Sequence, residues 1–576
     1  MCRVIRARRD NALPTVVRSS SLARRAAFLL VLCALAQNVV SAQASGLLRA
    51  LPGWPVDAMP AVLSQMYFDA PADDTRLVVV EETFRGALRG LDTDSIDAAI
   101  AAVRALPPTI PRQVSLLGND DKGILDFVWL AFQLLGPRAV SVPMLYLVVV
   151  AVSALLLSLA RRQDPVTVAM GALVLSCHAA LLPYLAAYGQ LGGFLALRFM
   201  PAMALLACLQ LVCDSLDARP TPLRVAGWVA QAAIVAATVQ IRTSAAWLLV
   251  AVVAAAIARV SLHASSAPRA SASSPTSLPS AVSTGSPAQA LASASRPWVL
   301  VCAIAPALVC VSLTWGFATA RSARAHPGYA AGEQIHGHVF WHSVLSGLAF
   351  SRQLADAWQI RLDDVSVIAA TGRFLTERGE SDRWSAVEGP GAAYSTVRWA
   401  PYDVAVRELV VDICLEDPLA CADSLLIEKP AALIGNVAWV SGLREALPRP
   451  ELLDETVSRE VALARDHLDR IGFSGPLSTW TLIVAASALI LAAWAGPLVD
   501  ARRDRTGLAL AILWAASAVP SLVAYPAPHV VGEPVVLSWT LLLATPALLV
   551  ARGRAWIWRW RASRSACEAE SVGRVG

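Results

Sequence analysis

Lysine is nearly missing from this chain of 576 residues: Lys122 and Lys429 are the only two, and arginine carries almost all of the positive charge. Charge of either sign is scarce, at 16% of residues, where a soluble domain has about 25%. A deficit of that size leaves much of the chain without water-facing surface to decorate. The formal net charge is only +5. The arginines gather in short clusters between apolar runs instead of along one face, which argues against a nucleic-acid partner and for membrane orientation signals. The ten cysteines include no Cys-x-x-Cys pair, so zinc ribbons and thioredoxin-type redox motifs drop out. Glycine-rich phosphate loops, the zincin HExxH and the GxSxG elbow are absent too, and no internal repeat is visible.

What is present is apolar, 56% of the residues, arranged in long runs. The N-terminus carries Arg3, Arg6, Arg8, Arg9, Arg18, Arg24 and Arg25 ahead of the apolar run Ala26 to Val40. Val40-Ser41-Ala42 would serve as a signal-peptide cleavage site, but an uncleaved first span fits better, because the later spans need a first helix of this orientation. Seven further runs approach the ~20 residues that cross a hydrocarbon core. They are Val140 to Ala160, Val166 to Ala187, Phe194 to Val212, Pro297 to Ala318, Thr479 to Val499, Gly507 to Tyr525 and Val535 to Val550. The stretch Val225 to Val260 is too long for one span and is interrupted by Arg242. With two spans meeting near Arg242, the clusters Arg161-Arg162, Arg219 with Arg224, Arg502-Arg503-Arg505 and Arg552 to Arg564 share the side of the basic N-terminus. With one, the last two would break the positive-inside rule. The expected fold is therefore an all-α polytopic membrane protein of about ten transmembrane helices, with both termini cytoplasmic.

The rest divides around those spans. Residues 1–45 form the basic N-terminus and first span, 46–138 a first external segment, and 139–260 a block of membrane helices. A Ser/Ala/Pro-rich stretch over 261–296 reads as a disordered cytoplasmic linker, too poor in apolar area to offset its ordering entropy. A span over 297–318 leads to a large external segment, 319–476, mainly helical by pattern. Membrane helices over 477–551 and a basic cytoplasmic tail, 552–576, complete the chain. The first external segment reads as a small α/β unit: a strand at Leu77 to Val80, a helix at Ser95 to Leu106 and a strand at Gln113 to Leu117. After it, the apolar face of Ile124 to Leu135 suits a helix lying in the membrane interface.

Candidate chemistry collects on the outer side. Asp57, Glu81-Glu82 and Asp120-Asp121 occupy the first external segment. Adjacent carboxylates bind a divalent cation or, with one pKa raised, act as a general base; the plain alternative is solvated surface charge. Asp121 ranks first because Asp121-Lys122-Gly123 directly precedes the interfacial helix. Arg198 and Arg242 lie in apolar sequence near outer ends of spans, where a guanidinium suits phosphate oxygens or snorkels to the interface. The run Glu333-Gln334-Ile335-His336-Gly337-His338-Val339-Phe340-Trp341-His342-Ser343 places His338 and His342 four residues apart, on one face if helical. Metal ligation and plain packing are both open there. His529 and Glu533 form a similar pair in the last external loop. Cys414 and Cys421 are the cysteines of a polar external segment, where an oxidising compartment permits a disulfide and Pro418 between them favours the turn.

The layout of a basic N-terminus, one span, a carboxylate-bearing external loop with an interfacial helix and then many spans resembles the GT-C superfamily of membrane glycosyltransferases. The stretches Asn119-Asp120-Asp121-Lys122-Gly123-Ile124-Leu125-Asp126-Phe127 and His338-Val339-Phe340-Trp341-His342-Ser343, with Gly347-Leu348, also look like those of uncharacterised multi-pass bacterial proteins. The resemblance implies transfer from a polyprenyl-phosphate-linked sugar at the outer face of the inner membrane. Asp121 would be the base, with Asp120, Glu81 or Asp57 as substitutes. Arg198 and Arg242 would hold the donor phosphate, and Trp341, His338, His342 and His529 would line the substrate site. GT-C enzymes often carry their acid soon after the first span, where this chain offers only Asp57. An O-antigen ligase or polymerase shares the general plan without a first-loop carboxylate, and a transporter or envelope assembly factor remains the non-enzymatic alternative. Membrane lipid is a partner in every case.

Overall fold

The computed structural model describes residues 2–48, 123–136, 140–189, 196–217, 221–265, 287–324, 340–380, 399–441, 462, 465–470, 472, 479–495, 505–526 and 531–575. The expected α/β unit falls on residues outside this set. Among the described residues the secondary structure is helical, without strands.

Among the described residues, nine helices are long and apolar enough to cross a membrane. They belong to α1 (Cys2–Ala44), α3 (Ser141–Ala160), α4 (Pro165–Gly189), α5 (Leu205–Asp217), α6 (Pro222–Ile241), α7 (Trp247–Ser265), α8 (Pro287–Arg324), α16 (Thr506–Val523) and α17 (Gly532–Val575). A tenth apolar helix, α15 (Thr479–Ala495), is shorter. Helix α2 (Gly123–Leu135) occupies the stretch expected at the interface and packs on α3 and α6. Between α4 and α5, the first part of the span expected from Phe194 is a 3-10 segment, Ala196–Ala204, with Pro201 inside it. Proline removes an amide donor and disfavours α geometry for the residue before it.

The stretch around Arg242 is two helices. Thr221 caps α6, its hydroxyl accepting the Arg224 amide at 3.3 Å, and Pro222 follows as the first helical residue. At the other end Arg242 turns extended, with φ −143° and ψ 109°, before a 3-10 turn, Thr243–Ala246, leads into α7. Helix α8 begins at Pro287, ten residues inside the stretch expected to be linker.

Burial separates the centre of the bundle from its rim. The apolar window of α4 is entirely buried and that of α5 94% buried, whereas those of α1 and α8 are 28% buried and face outward. Helix α4 packs against α1, α15 and α17. Polar side chains tie these surfaces where no hydrophobic effect operates between helices. Asn38 on α1 donates to the Leu175 carbonyl at 2.8 Å, and Ser41 donates to that of Ala179 at 2.6 Å.

A second core forms a helical lobe from the large segment. It comprises α9 (Phe340–Leu348), α10 (Arg352–Trp358), α11 (Asp364–Glu377), α12 (Trp399–Glu416) and α13 (Pro418–Asp423), followed by a π-helical turn, Ser424–Glu428, and α14 (Lys429–Val440). Leu345, Leu348, Val367, Leu375, Leu409 and Ile413 are its buried centre. Ser351, Asp363 and Asp417 cap the starts of α10, α11 and α13 by accepting backbone amides, the role these short side chains serve at helix N-termini. A disulfide joins Cys414 to Cys421 across the α12–α13 corner, with Cα atoms 5.4 Å apart.

Helix α14 seats the lobe on the bundle. Trp439 meets Tyr184 edge-on at 5.5 Å, Trp539 donates to the Ser441 hydroxyl at 2.6 Å, and Asn436 donates to the Pro526 carbonyl. Gly347 is needed at this joint, because a Cβ there would lie 1.7 Å from the Ala524 carbonyl oxygen and 2.6 Å from Lys429 Nζ.

Candidate functional site

The end of the bundle opposite the N-terminal arginines holds the break at Arg242. Three elements converge on it. The 3-10 segment carrying Arg198 packs against α6 and α17. The first residue of α2, Gly123, lies so close to α6 that a Cβ would fall 2.2 Å from the Gln240 carbonyl oxygen. Glu533, in the first turn of α17, is 5% exposed, and its carboxylate accepts the backbone amide of Ala202 in the 3-10 segment. The Arg242 charge acts on that carboxylate. A carboxylate at a helix N-terminus also complements the helix dipole. Separation from water makes such a pair a stronger electrostatic element than it would be at a surface.

A polar line runs from this end into the bundle. Glu533 exerts its charge on Tyr146 of α3. The Tyr146 hydroxyl is 2.6 Å from His178 Nε2 on α4, and His178 Nδ1 is 2.6 Å from Asn38 Oδ1 on α1. Asn38 uses its amide group as donor to Ala34 and Leu175. Its Oδ1 therefore accepts from an Nδ1 proton, which leaves His178 Nε2 to accept from Tyr146. Tyr146, His178 and Asn38 are each satisfied while buried, as low-dielectric polar groups must be. Ionisable groups among membrane helices mark functional paths by default.

Of the residues singled out in the sequence, Asp57, Glu81, Asp120, Asp121, His338 and His529 lie outside the described residues. Arg198 falls in the 3-10 segment, and Arg242 sits at the helix break. Trp341 and His342 lie instead in the lobe. Trp341 is half-buried against its core and meets Phe340 edge-on at 5.3 Å. His342 is buried, with Nδ1 2.7 Å from the Tyr402 hydroxyl and Nε2 2.9 Å from Asp364 Oδ1. Both ring nitrogens are thus engaged, and burial raises the Tyr402 phenol well above its ordinary range. The arrangement fastens α9 to α11 and α12 and leaves neither nitrogen free to bind a metal. Among the described residues no group of three His, Cys, Asp or Glu side chains could hold one.

Three features escaped the sequence reading. Glu533 was visible only as a neighbour of His529, because its burial depends on the packing of the 3-10 segment. Lys429 follows a π-helical turn, is fully buried and donates to the Val523 carbonyl at 3.0 Å. Burial lowers it from the ordinary lysine value to about 7. Its rarity was the one available signal. At the basic end, Arg161 pairs with Asp214 at 2.7 Å and with Asp217, and Arg224 approaches both acids at 3.7 and 3.8 Å. The three-residue spacing of the two acids places them on one face of α5, but nothing local names Arg161 as their partner. Compared with protein-family models, with curated proteins and with solved structures, the chain matches none.

Proposed function

We propose that this chain is an integral membrane glycosyltransferase. It uses a lipid-linked sugar donor at the outer face of the bacterial inner membrane, in cell-envelope glycan synthesis. The observation that carries the reading is the meeting of the Arg242 helix break with the 3-10 segment bearing Arg198, the start of α2 and the buried Glu533. Positive-inside charge puts this end on the non-cytoplasmic side. In this reading Arg242 and Arg198 grip the donor phosphate, since guanidinium forks match phosphate oxygens. Glu533 holds Arg242 in place between turnovers. Asp121, two residues before Gly123 in sequence, is the base that takes the proton of the acceptor hydroxyl, with Asp120, Glu81 and Asp57 as its substitutes. His342 acts on the site only by holding the lobe together, and Trp341 offers an aromatic face for a sugar ring.

The test is glycan product formation in membranes holding each variant at matched expression. A positioned base contributes about 10²–10⁴-fold, so Asp121→Asn should lose activity by that factor while inserting normally. Arg242→Gln should weaken donor use, and Arg242→Lys should restore only part of it. Full activity in Asp121→Asn, and equally in variants of Asp57, Glu81 and Asp120, removes the first-loop carboxylate mechanism. A transporter is the second reading, and two observations favour it: the polar line from Glu533 to Asn38, and the proline-bearing 3-10 segment within a span, since broken helices mark transporter sites. A deletion strain separates the two. Transfer predicts accumulated polyprenyl-linked sugar, and transport predicts none.

A further inference from the structure

At the basic end, α1 and the α3–α4 corner enclose a groove of about 630 Å³, within the roughly 300–1,000 Å³ of small-molecule sites. Three arginines line it: Arg24 and Arg25 from α1, and Arg162 from the corner. Its walls are apolar, with Phe28 and Leu29 on one side and Leu159 on the other. The depth of these groups is set by the helices themselves. The apolar stretch of α1 starts at Ser21, and that of α3 ends at Ala160. All three arginines therefore stand within one turn of the point where hydrocarbon gives way to headgroups. Leu29 is 58% exposed and Leu159 50% exposed, so the apolar walls open onto the outer surface of two spans, the surface that lipid covers in a membrane. Arg24 is held in place by donating to Gln163 Oε1 at 2.8 Å, which orders one rim of the groove.

We infer that this groove binds one anionic phospholipid of the cytoplasmic leaflet, its phosphate against Arg24, Arg25 and Arg162 and its chains along Phe28, Leu29 and Leu159. The charge complementarity is specific in form. Guanidinium groups at headgroup height meet a phosphate, and the wall beneath them is continuous with the bilayer. Basic pockets between membrane helices on this side of a bilayer suit anionic headgroups. A lipid seated there would bridge α1 to the α3–α4 corner. The site is separate from the Arg242 end and does not depend on the function proposed for it.

Native mass spectrometry of the full chain, titrated with phosphatidylglycerol or phosphatidylcholine, tests this. One molecule of phosphatidylglycerol should remain bound where phosphatidylcholine is lost. The double variant Arg25→Gln/Arg162→Gln should weaken phosphatidylglycerol binding by about tenfold or more, given about 1 kcal/mol per arginine near an anionic surface. Arg552→Gln/Arg554→Gln, which removes the same charge from exposed positions of α17, should leave binding unchanged. An equal loss in both double variants overturns the site in favour of general attraction. Equal retention of the two lipids overturns it as well, and displacement of the bound lipid by inorganic phosphate assigns the arginines to a free anion instead.

Discussion

The two ends of the bundle use the same ingredients, arginine and buried carboxylate, in different settings. At the basic end, Arg161 and Asp214 are each 1% exposed and meet Asp217 and Arg224 in one balanced group. Intact α-helical turns of α5 and α6 supply the acids and Arg224. At the far end, Arg242 and Glu533 sit where the backbone has left α geometry, at an extended residue and beside a 3-10 segment. Two arginines against two acids close a clamp. One guanidinium and one carboxylate stand there beside irregular backbone, where helix ends expose amides and carbonyls. The contrast separates charge that joins intact helices from charge placed where helices break, and the proposed function rests on the second.

The largest effect should come from breaking the clamp. Arg161→Ala leaves Asp214 and Asp217 with only the more distant Arg224 and should cost about 3–5 kcal/mol, the usual penalty for breaking a buried ion pair. Thermal melting and monodisperse yield in detergent report it. Arg161→Met combined with Asp214→Leu removes both charges and should recover most of the loss, because apolar replacement of a buried pair is often neutral. A double variant as unstable as the single one would show that the pair itself, not the orphaned acid, sets the cost.

A smaller effect belongs to the joint between lobe and bundle. Lys429 has a folded pKa of about 7, below its ordinary 10.5, because burial disfavours the charged form. The unfolded chain therefore binds more protons between those values, and stability from this group falls as pH drops from about 10 toward 7 and is flat below. The slope should reach about 1.4 kcal/mol per pH unit at most. Lys429→Met should flatten the melting temperature across that range. An unchanged slope in the variant would place the titration elsewhere.

The smallest effect on folding should come from the far-end pair. Glu533→Gln keeps the shape and an acceptor for the Ala202 amide, so it should shift stability by only about 1 kcal/mol. Under the proposed transferase reading, its effect on glycan formation should be far larger than its effect on melting. A variant that melts early and keeps full activity would make Glu533 another clamp and erase the distinction between the two ends.

The membrane architecture was legible in the sequence because it depends on one-dimensional quantities. Length and composition of apolar runs set the spans, and arginine clustering decided that Val225 to Val260 crosses twice. The break then fell at Arg242 itself. The candidate site residues were only half legible. Arg242 stood out because charge in apolar sequence is costly wherever the chain goes. His342 left metal ligation and packing both open, and packing gives its two nitrogens to Tyr402 and Asp364, 60 and 22 residues away. Cys414 and Cys421 lie seven residues apart, close enough for local turn chemistry to bring them together.

What only the tertiary structure decided is which polar groups meet. Glu533 and Arg242, Arg161 and Asp214, and Asn38 and His178 are each brought together by helix packing across 53 to 291 positions of chain. Sequence determines that a helix is apolar enough to enter the membrane, because that free energy sums residue by residue. It does not determine a partner, because a buried polar group is satisfied by whichever group the packed neighbour presents.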